Sequence, residues 1–217
     1  MATSKNQRIL LIVNSLSKYS RGALKFIYSF TENSAIAVAL GVLGGDYKKV
    51  IIRKGKNATK AKFLKALKAA ATTTGVKAVD VFLQLHGDDK QFIFDDGSVD
   101  ASDLRDEILK LKLPPGRLRL LYNTTCYGDS QNSPYMINAG FATTIGSHAI
   151  NCTGATEFPT FCSLWQIGKK VVDIMAVADD PGTRAIQDAA AKAFSPAAFS
   201  NANSKKYIQG NKNLTIS

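Results

Sequence analysis

Residues 79–88 read Val-Asp-Val-Phe-Leu-Gln-Leu-His-Gly-Asp, and residues 118–129 read Leu-Arg-Leu-Leu-Tyr-Asn-Thr-Thr-Cys-Tyr-Gly-Asp. Both are short apolar runs that stop abruptly in polar residues and glycine, and both predict strands, over 79–85 and 118–125. Working outward, 9–13 ends at Asn14-Ser15 and predicts a buried first strand. Segments 48–53 and 141–147 predict a second and a fifth. Helical segments fall between them. Residues 22–30 read as a helix, Thr59 caps one that runs to about Ala71, and Ser102 or Asp103 caps one carrying Leu104, Ile108 and Leu111 at helical spacing. Residues 161–176 predict another, and a last alanine-rich helix precedes Pro196. Segment 35–44 is ambiguous, because its alanines favour helix and its valines and glycines favour strand or turn. Segment 91–99 reads as a hairpin turning at Asp95-Asp96-Gly97. Strands alternating with helices imply an α/β fold, a mainly parallel sheet covered on both faces.

Composition bounds the rest. The chain has 217 residues, 45% of them hydrophobic, enough for one domain with a substantial core. No apolar stretch approaches the roughly 18 residues that a membrane span needs. The first residues lack the apolar core of a secretion signal. Three cysteines without a Cys-x-x-Cys pair do not make a disulfide framework. Together these features lead us to expect a cytoplasmic protein. The net charge is +11, and it is uneven: residues 1–75 hold 14 lysines and arginines against two acids, and the remainder 14 against 15. A basic first third suggests an acidic partner or a plain solvated face. Nucleic acid is not expected, since the basic residues lack interleaved aromatics and any known binding motif. The two histidines and scattered cysteines give no zinc spacing. The acids at 88, 89, 95, 96 and 100 do not follow a calcium-loop pattern, and read as a solvated hairpin, a cation site or a match for the basic first third. A phosphate-binding loop is also absent: the segment after the first strand has Ser15, Ser17 and Ser20 but no glycine before Gly22.

In parallel sheets, ligands collect beyond the carboxyl ends of the strands. His86-Gly87 follows the third strand and Cys126 the fourth, so the two face one crevice. An imidazole beside a thiol can take its proton, and the thiolate is a nucleophile. The N–H groups of Gly87 and Cys126 can stabilise an oxyanion. That set suffices for acyl transfer and requires no cofactor. The plainer readings are a turn histidine satisfied by a carbonyl and a small buried cysteine. A rival pair, His148 and Cys152, lies four residues apart.

The order of apolar strand, His-Gly, acidic hairpin, amphipathic helix, apolar strand and Cys resembles the caspase–hemoglobinase superfamily (clan CD) of cysteine peptidases. That superfamily includes caspases, legumains, gingipains, clostripain, separases and CHAT domains. The resemblance covers roughly residues 8–176, and the forty residues between His86 and Cys126 lie in the range of such enzymes. It implies a single caspase-like domain over 1–217 with a six-stranded sheet, a core of about 8–176 and a C-terminal helix and tail over 177–217. It further implies a cysteine endopeptidase that acts on protein or peptide through a thioester. Cys126 would be the nucleophile, His86 the base and acid, and Gly87 and Cys126 the oxyanion donors. The substrate pocket would draw on Asn14, Ser15, Asn123, Thr124, Ser147 and His148, and on the segment up to Cys152. Members that cleave after Arg or Lys often carry an acid two residues before the Cys, where this chain has Thr124. A neutral pocket would suit a small or polar P1 residue, the one whose carbonyl is attacked. Asp129 or Glu157 would supply an acid from elsewhere, and Arg21 is the nearest cation for an acidic P1. The alternative is a non-catalytic binding module of the same fold that uses the basic face.

Overall fold

The computed structural model describes residues 3–18 and 22–217, and the apolar runs lie side by side in one sheet. In chain order the elements are β1 (Arg8–Asn14), α1 (Gly22–Leu43), β2 (Lys49–Lys54), α2 (Lys60–Thr72), β3 (Ala78–Gln84), β4 (His86–Asp88), β5 (Gln91–Phe94) and β6 (Gly97–Asp100). There follow α3 (Ala101–Lys110), β7 (Leu118–Asn123), α4 (Ser133–Asn138), β8 (Thr143–Ser147), α5 (Gly154–Gln166), α6 (Val171–Ala178), α7 (Pro181–Phe194), α8 (Pro196–Phe199) and β9 (Lys206–Gly210). Among the described residues the main sheet has six strands in the order β2-β1-β3-β7-β8-β9, parallel except for β9, which runs antiparallel to β8. β4, β5 and β6 make a small antiparallel sheet at its carboxyl edge, so the predicted hairpin gains His86–Asp88 as a third strand.

The sheet is buried on both faces because its strands are apolar at nearly every position. Ile9, Leu11, Val13, Val81 and Leu83 pack under α2, α3 and α4, with Phe63, Leu67, Leu104 and Met136 opposite them. Leu10, Ile12, Phe82, Leu120 and Tyr122 pack under α1, α5 and α6. There Phe82 sits edge-on to Phe158 at 5.4 Å, and Tyr122 lies 4.5 Å from Phe161. Thr59 caps α2 as the sequence indicates, its hydroxyl accepting from the Lys62 amide at 3.3 Å.

Three expectations change. The ambiguous segment 35–44 continues α1 as one helix to Leu43, because Ala35, Ala39 and Leu43, four residues apart, form its buried stripe. The single helix expected over 161–176 is two. α5 begins at Gly154 and ends where Gly168 takes φ +77°, with the Gly168 amide donating to Trp165 and the Lys169 amide to Leu164, a Schellman stop. The N-cap of α3 is Asp100, upstream of Ser102.

The amino edge of the sheet is held by a buried ion pair. Asp80 on β3 receives two bonds from Arg119 on β7, one of them 2.9 Å from Arg119 Nε to Oδ1. The Tyr47 hydroxyl donates to Asp80 at 2.6 Å, and the indole of Trp165 donates to that hydroxyl at 3.1 Å. Arg119 also reaches the carbonyl of Ile216 at 2.6 Å, tying in the C-terminal segment. A register shift between Val79 and Asp80 marks the point where this pair interrupts the ladder. Removing one partner strands a buried charge, so Asp80→Ala is expected to lower the unfolding free energy by about 3–5 kcal/mol in urea titration. The double replacement Asp80→Leu with Arg119→Met is expected to lose much less, and equal losses would contradict this reading.

Candidate active site

β3 and β7 are neighbours and run parallel, so both chains leave the sheet at the same edge. The chain reverses its direction of growth between β1 and β3, which places the crevice of a doubly wound sheet beside the ends of these strands. Leu16 follows β1, His86 follows β3 and Cys126 follows β7. The Thr124 amide donates to the Leu83 carbonyl at 2.9 Å, keeping the two exits together.

Gly87 sets how closely the turns approach. A Cβ there would stand 2.6 Å from Thr125 Cβ and 2.9 Å from the Cys126 carbonyl oxygen. Only glycine fits, and the His86 turn lies directly on the Cys126 turn. The His86 Nε2–H donates to the Leu16 carbonyl at 2.6 Å, which leaves the Nδ1 lone pair as the acceptor. Tyr28 packs against the ring, centroids 4.9 Å apart and planes at 78°. Burial pushes the imidazole pKa below its ordinary value of 6.5, against the pull of the Leu16 bond. His86 is therefore neutral at pH 7.

Burial pushes the Cys126 thiol up. The Asn151 backbone N–H and the charge of Lys206 pull it down, and Asp88 adds to the rise. At rest the site holds a thiol and a neutral imidazole. The backbone then turns sharply: Tyr127 takes φ +54° and its amide donates to the Ala149 carbonyl at 2.9 Å. A left-handed conformation is unfavourable for a bulky residue and persists only where its surroundings fix it. Here Gly146 of β8 fixes it, since a Cβ on Gly146 would fall 2.4 Å from the Gly128 carbonyl carbon.

The other expected site residues divide into framework and pocket. Asn14 is buried and donates to the Glu32 carbonyl and to Gln84, and Ser15 is buried beside it. Asn123 accepts from the Thr125 amide at 3.0 Å, and the Ser147 hydroxyl donates to the Thr125 carbonyl at 2.8 Å. Asn123 and Ser147 thus brace the Cys126 turn at Thr125, Asn14 ties β1 to α1 and β3, and the buried Ser15 hydroxyl makes no hydrogen bond among the described residues. Asp129 accepts from Gln209 at 2.9 Å and Glu157 is buried against Lys206, so neither acid enters the pocket. His148 is exposed, 5.6 Å from the Tyr207 ring, while Cys152 lies in the pocket with its thiol pushed up to about 11 by burial and the nearby Asp188. Arg21 lies outside the described residues. Thr124 does line the cavity beyond the strand ends, which measures about 360 Å³. Its far wall is Phe194 of α7 and Phe199 of α8, residues that no pattern in the sequence marked as part of the site. Among the described residues no cluster of three or more metal-ligating side chains occurs, and no helix is long and apolar enough to cross a membrane.

No family model matches the sequence, and no curated protein matches it. Solved structures do. Caspase-1 from Spodoptera frugiperda superposes with a TM-score of 0.62 at 15% identity, over 99% of this chain and 91% of that one. Pro-sf-caspase-1 gives 0.61 at 16% identity, over 96% and 92%. A secreted C11 cysteine protease from Bacteroides thetaiotaomicron gives 0.48 at 13%, over 72% and 53%. At such identities the likeness to caspase-1 is one of fold, and the chain has the caspase-like fold.

Proposed function

We propose that this chain is a cysteine peptidase in which Cys126 is the nucleophile and His86 the general base and acid. The observation that carries the reading is the seat of Gly87 on Thr125 and Cys126, which brings the His-Gly turn onto the Cys turn. The fold it shares with caspase-1 supports it further. The elevated thiol and depressed imidazole imply a neutral pair, so proton transfer accompanies attack. His86 Nδ1 takes the thiol proton as the sulfur adds to the peptide carbonyl. The N–H groups of Gly87 and Cys126 receive the developing oxyanion. His86 then passes the proton to the leaving amine, and the C–N bond breaks to leave a Cys126 thioester. Water, deprotonated by His86, attacks the thioester, and its collapse releases the acid and the thiol. The same reading places the protein in the cytoplasm, where its three free cysteines stay reduced. A scaffold role for the basic first third has less to rest on, because Lys18 meets Asp95 at 3.2 Å and Lys60 meets Glu107 at 2.7 Å within the chain.

Cys126→Ala is expected to reduce peptide hydrolysis by at least about 10³-fold at an unchanged melting temperature, and His86→Ala by about 10²–10⁴-fold with a modest loss of stability from its bond to the Leu16 carbonyl. Retained turnover in Cys126→Ala would refute the reading. The pH dependence follows from the two shifts. His86 must be neutral to act as base, so kcat/KM rises with pH through a midpoint below 6.5 and stays level beyond the ordinary thiol range near 8.5. A midpoint above 7 would contradict the buried neutral imidazole. Gly87→Ala is expected to lower kcat/KM at least about tenfold, because its methyl must displace Thr125 and the Cys126 backbone. Wild-type activity in that variant would show that the close approach is dispensable.

A further inference from the structure

The cavity beyond the strand ends opens beside the thiol. Thr124, on its wall, lies two residues before Cys126. Asn151, also on the wall, presents its backbone N–H to the Cys126 sulfur. Tyr28, a third wall residue, packs on the His86 ring. A peptide carbonyl placed at Cys126 would therefore send its own residue's side chain into this space. At about 360 Å³ the cavity is near the lower end of the range for small-molecule sites, roughly 300–1,000 Å³, and suits one large side chain.

Among the described residues its lining is uncharged. The buried charges behind it are already committed. Glu157 and Lys206 hold each other, and Asp188 receives both the amide and the hydroxyl of Ser204. A charged guest would lose its water and find no counter-charge among the described residues. The far wall is apolar: Ala190, Ala191 and Phe194 from α7, and Phe199 from α8. Phe194 is 58% exposed although it faces a cavity, so one side of its ring has no protein cover. Thr124 alone pointed to a small or polar guest. The aromatic wall comes from 177–217, beyond the segment in which the resemblance lies.

We propose that this cavity is the P1 pocket and selects a large apolar side chain, with Phe194 and Phe199 as its specificity-determining residues. The inference rests on the peptidase reading. It differs from that reading in what it predicts.

The full chain would be assayed with peptidyl aminocoumarins varied at P1, and with peptidyl acyloxymethyl ketones bearing Phe, Asp or Lys at P1, following labelling of Cys126 by mass spectrometry. We expect kcat/KM for Leu, Met or Phe to exceed that for Asp, Lys or Arg by about 100-fold, and the Phe ketone to label at least about tenfold faster than the others. Phe194→Ala and Phe199→Ala are expected to lower the preference for Phe over Ala at P1 by about tenfold, through KM, and Thr124→Asp to shift preference toward Lys and Arg. Cleavage chiefly after Asp, Arg, Lys or a small residue would overturn the pocket assignment and leave the peptidase reading standing. Selective labelling by the Phe ketone without hydrolysis of any substrate would do the reverse. Equal labelling by all three ketones would overturn the pocket assignment whatever the turnover.

Discussion

The buried pair of Lys206 and Glu157 holds the carboxyl edge of this fold together. Their side chains are 0% and 1% exposed, so neither charge is relieved by water. Such a pair is tolerable only when every remaining donor and acceptor is met, and losing one member leaves a charge in the core. Here they are met. The Lys206 ammonium also reaches Asn151 at 3.0 Å and the Ser204 carbonyl at 3.1 Å. The Glu157 carboxylate also receives the hydroxyls of Tyr122 and Thr153. These groups come from β9, α5, β7 and the segment after β8. One ion pair thus locks four pieces of chain that sequence distance keeps apart.

That lock reaches the chemistry through Asn151. Its side-chain oxygen accepts from Lys206, its amide donates to the Thr124 carbonyl at 2.9 Å, and its backbone N–H meets the Cys126 sulfur. From the same edge strand, Gln209 holds Asp129 in the turn after the thiol. The nucleophile's turn is therefore braced by β9, the last strand of the chain, while the histidine's turn is braced by Leu16 after the first. The Asp80–Arg119 pair does the corresponding work at the opposite edge, where the C-terminal segment is tied under Trp165. Between these clamps the sheet is held by its backbone hydrogen-bond ladders and by apolar burial on both faces, and the strand ends stay free to carry function.

What the sequence revealed depended on how local the determining forces were. β1, β3 and β7 were legible because apolar runs buried on both faces need no knowledge of their neighbours. For the same reason His86 and Cys126 stood out as the polar residues that end two such runs. β9 could not be read this way. Lys-Tyr-Ile-Gln-Gly looks like surface, and its lysine is buried only because Glu157 waits forty-nine residues away. The pocket's aromatic wall was hidden for a similar reason, since α7 is exposed along most of its length and turns toward the site only near its end. Asn14, Asn123 and Ser147 lie next to the site in sequence, yet each is bonded to backbone, Asn14 to the Glu32 carbonyl, Asn123 to the Thr125 amide and Ser147 to the Thr125 carbonyl. The break between α5 and α6 was marked by Gly168, a signal outweighed by the continuing apolar pattern on either side.

Acyl transfer through Cys126 is the central claim, and the intermediate itself is the most direct evidence for it. The chain would be mixed with a reactive peptidyl ester, quenched in acid within the first turnovers, and its intact mass and peptide map recorded. An acyl adduct on Cys126 that is removed by neutral hydroxylamine is the predicted result, because a thioester is the species that Cys126 and His86 together would form. Hydrolysis with no adduct on Cys126, or with the adduct on Cys152, would contradict it.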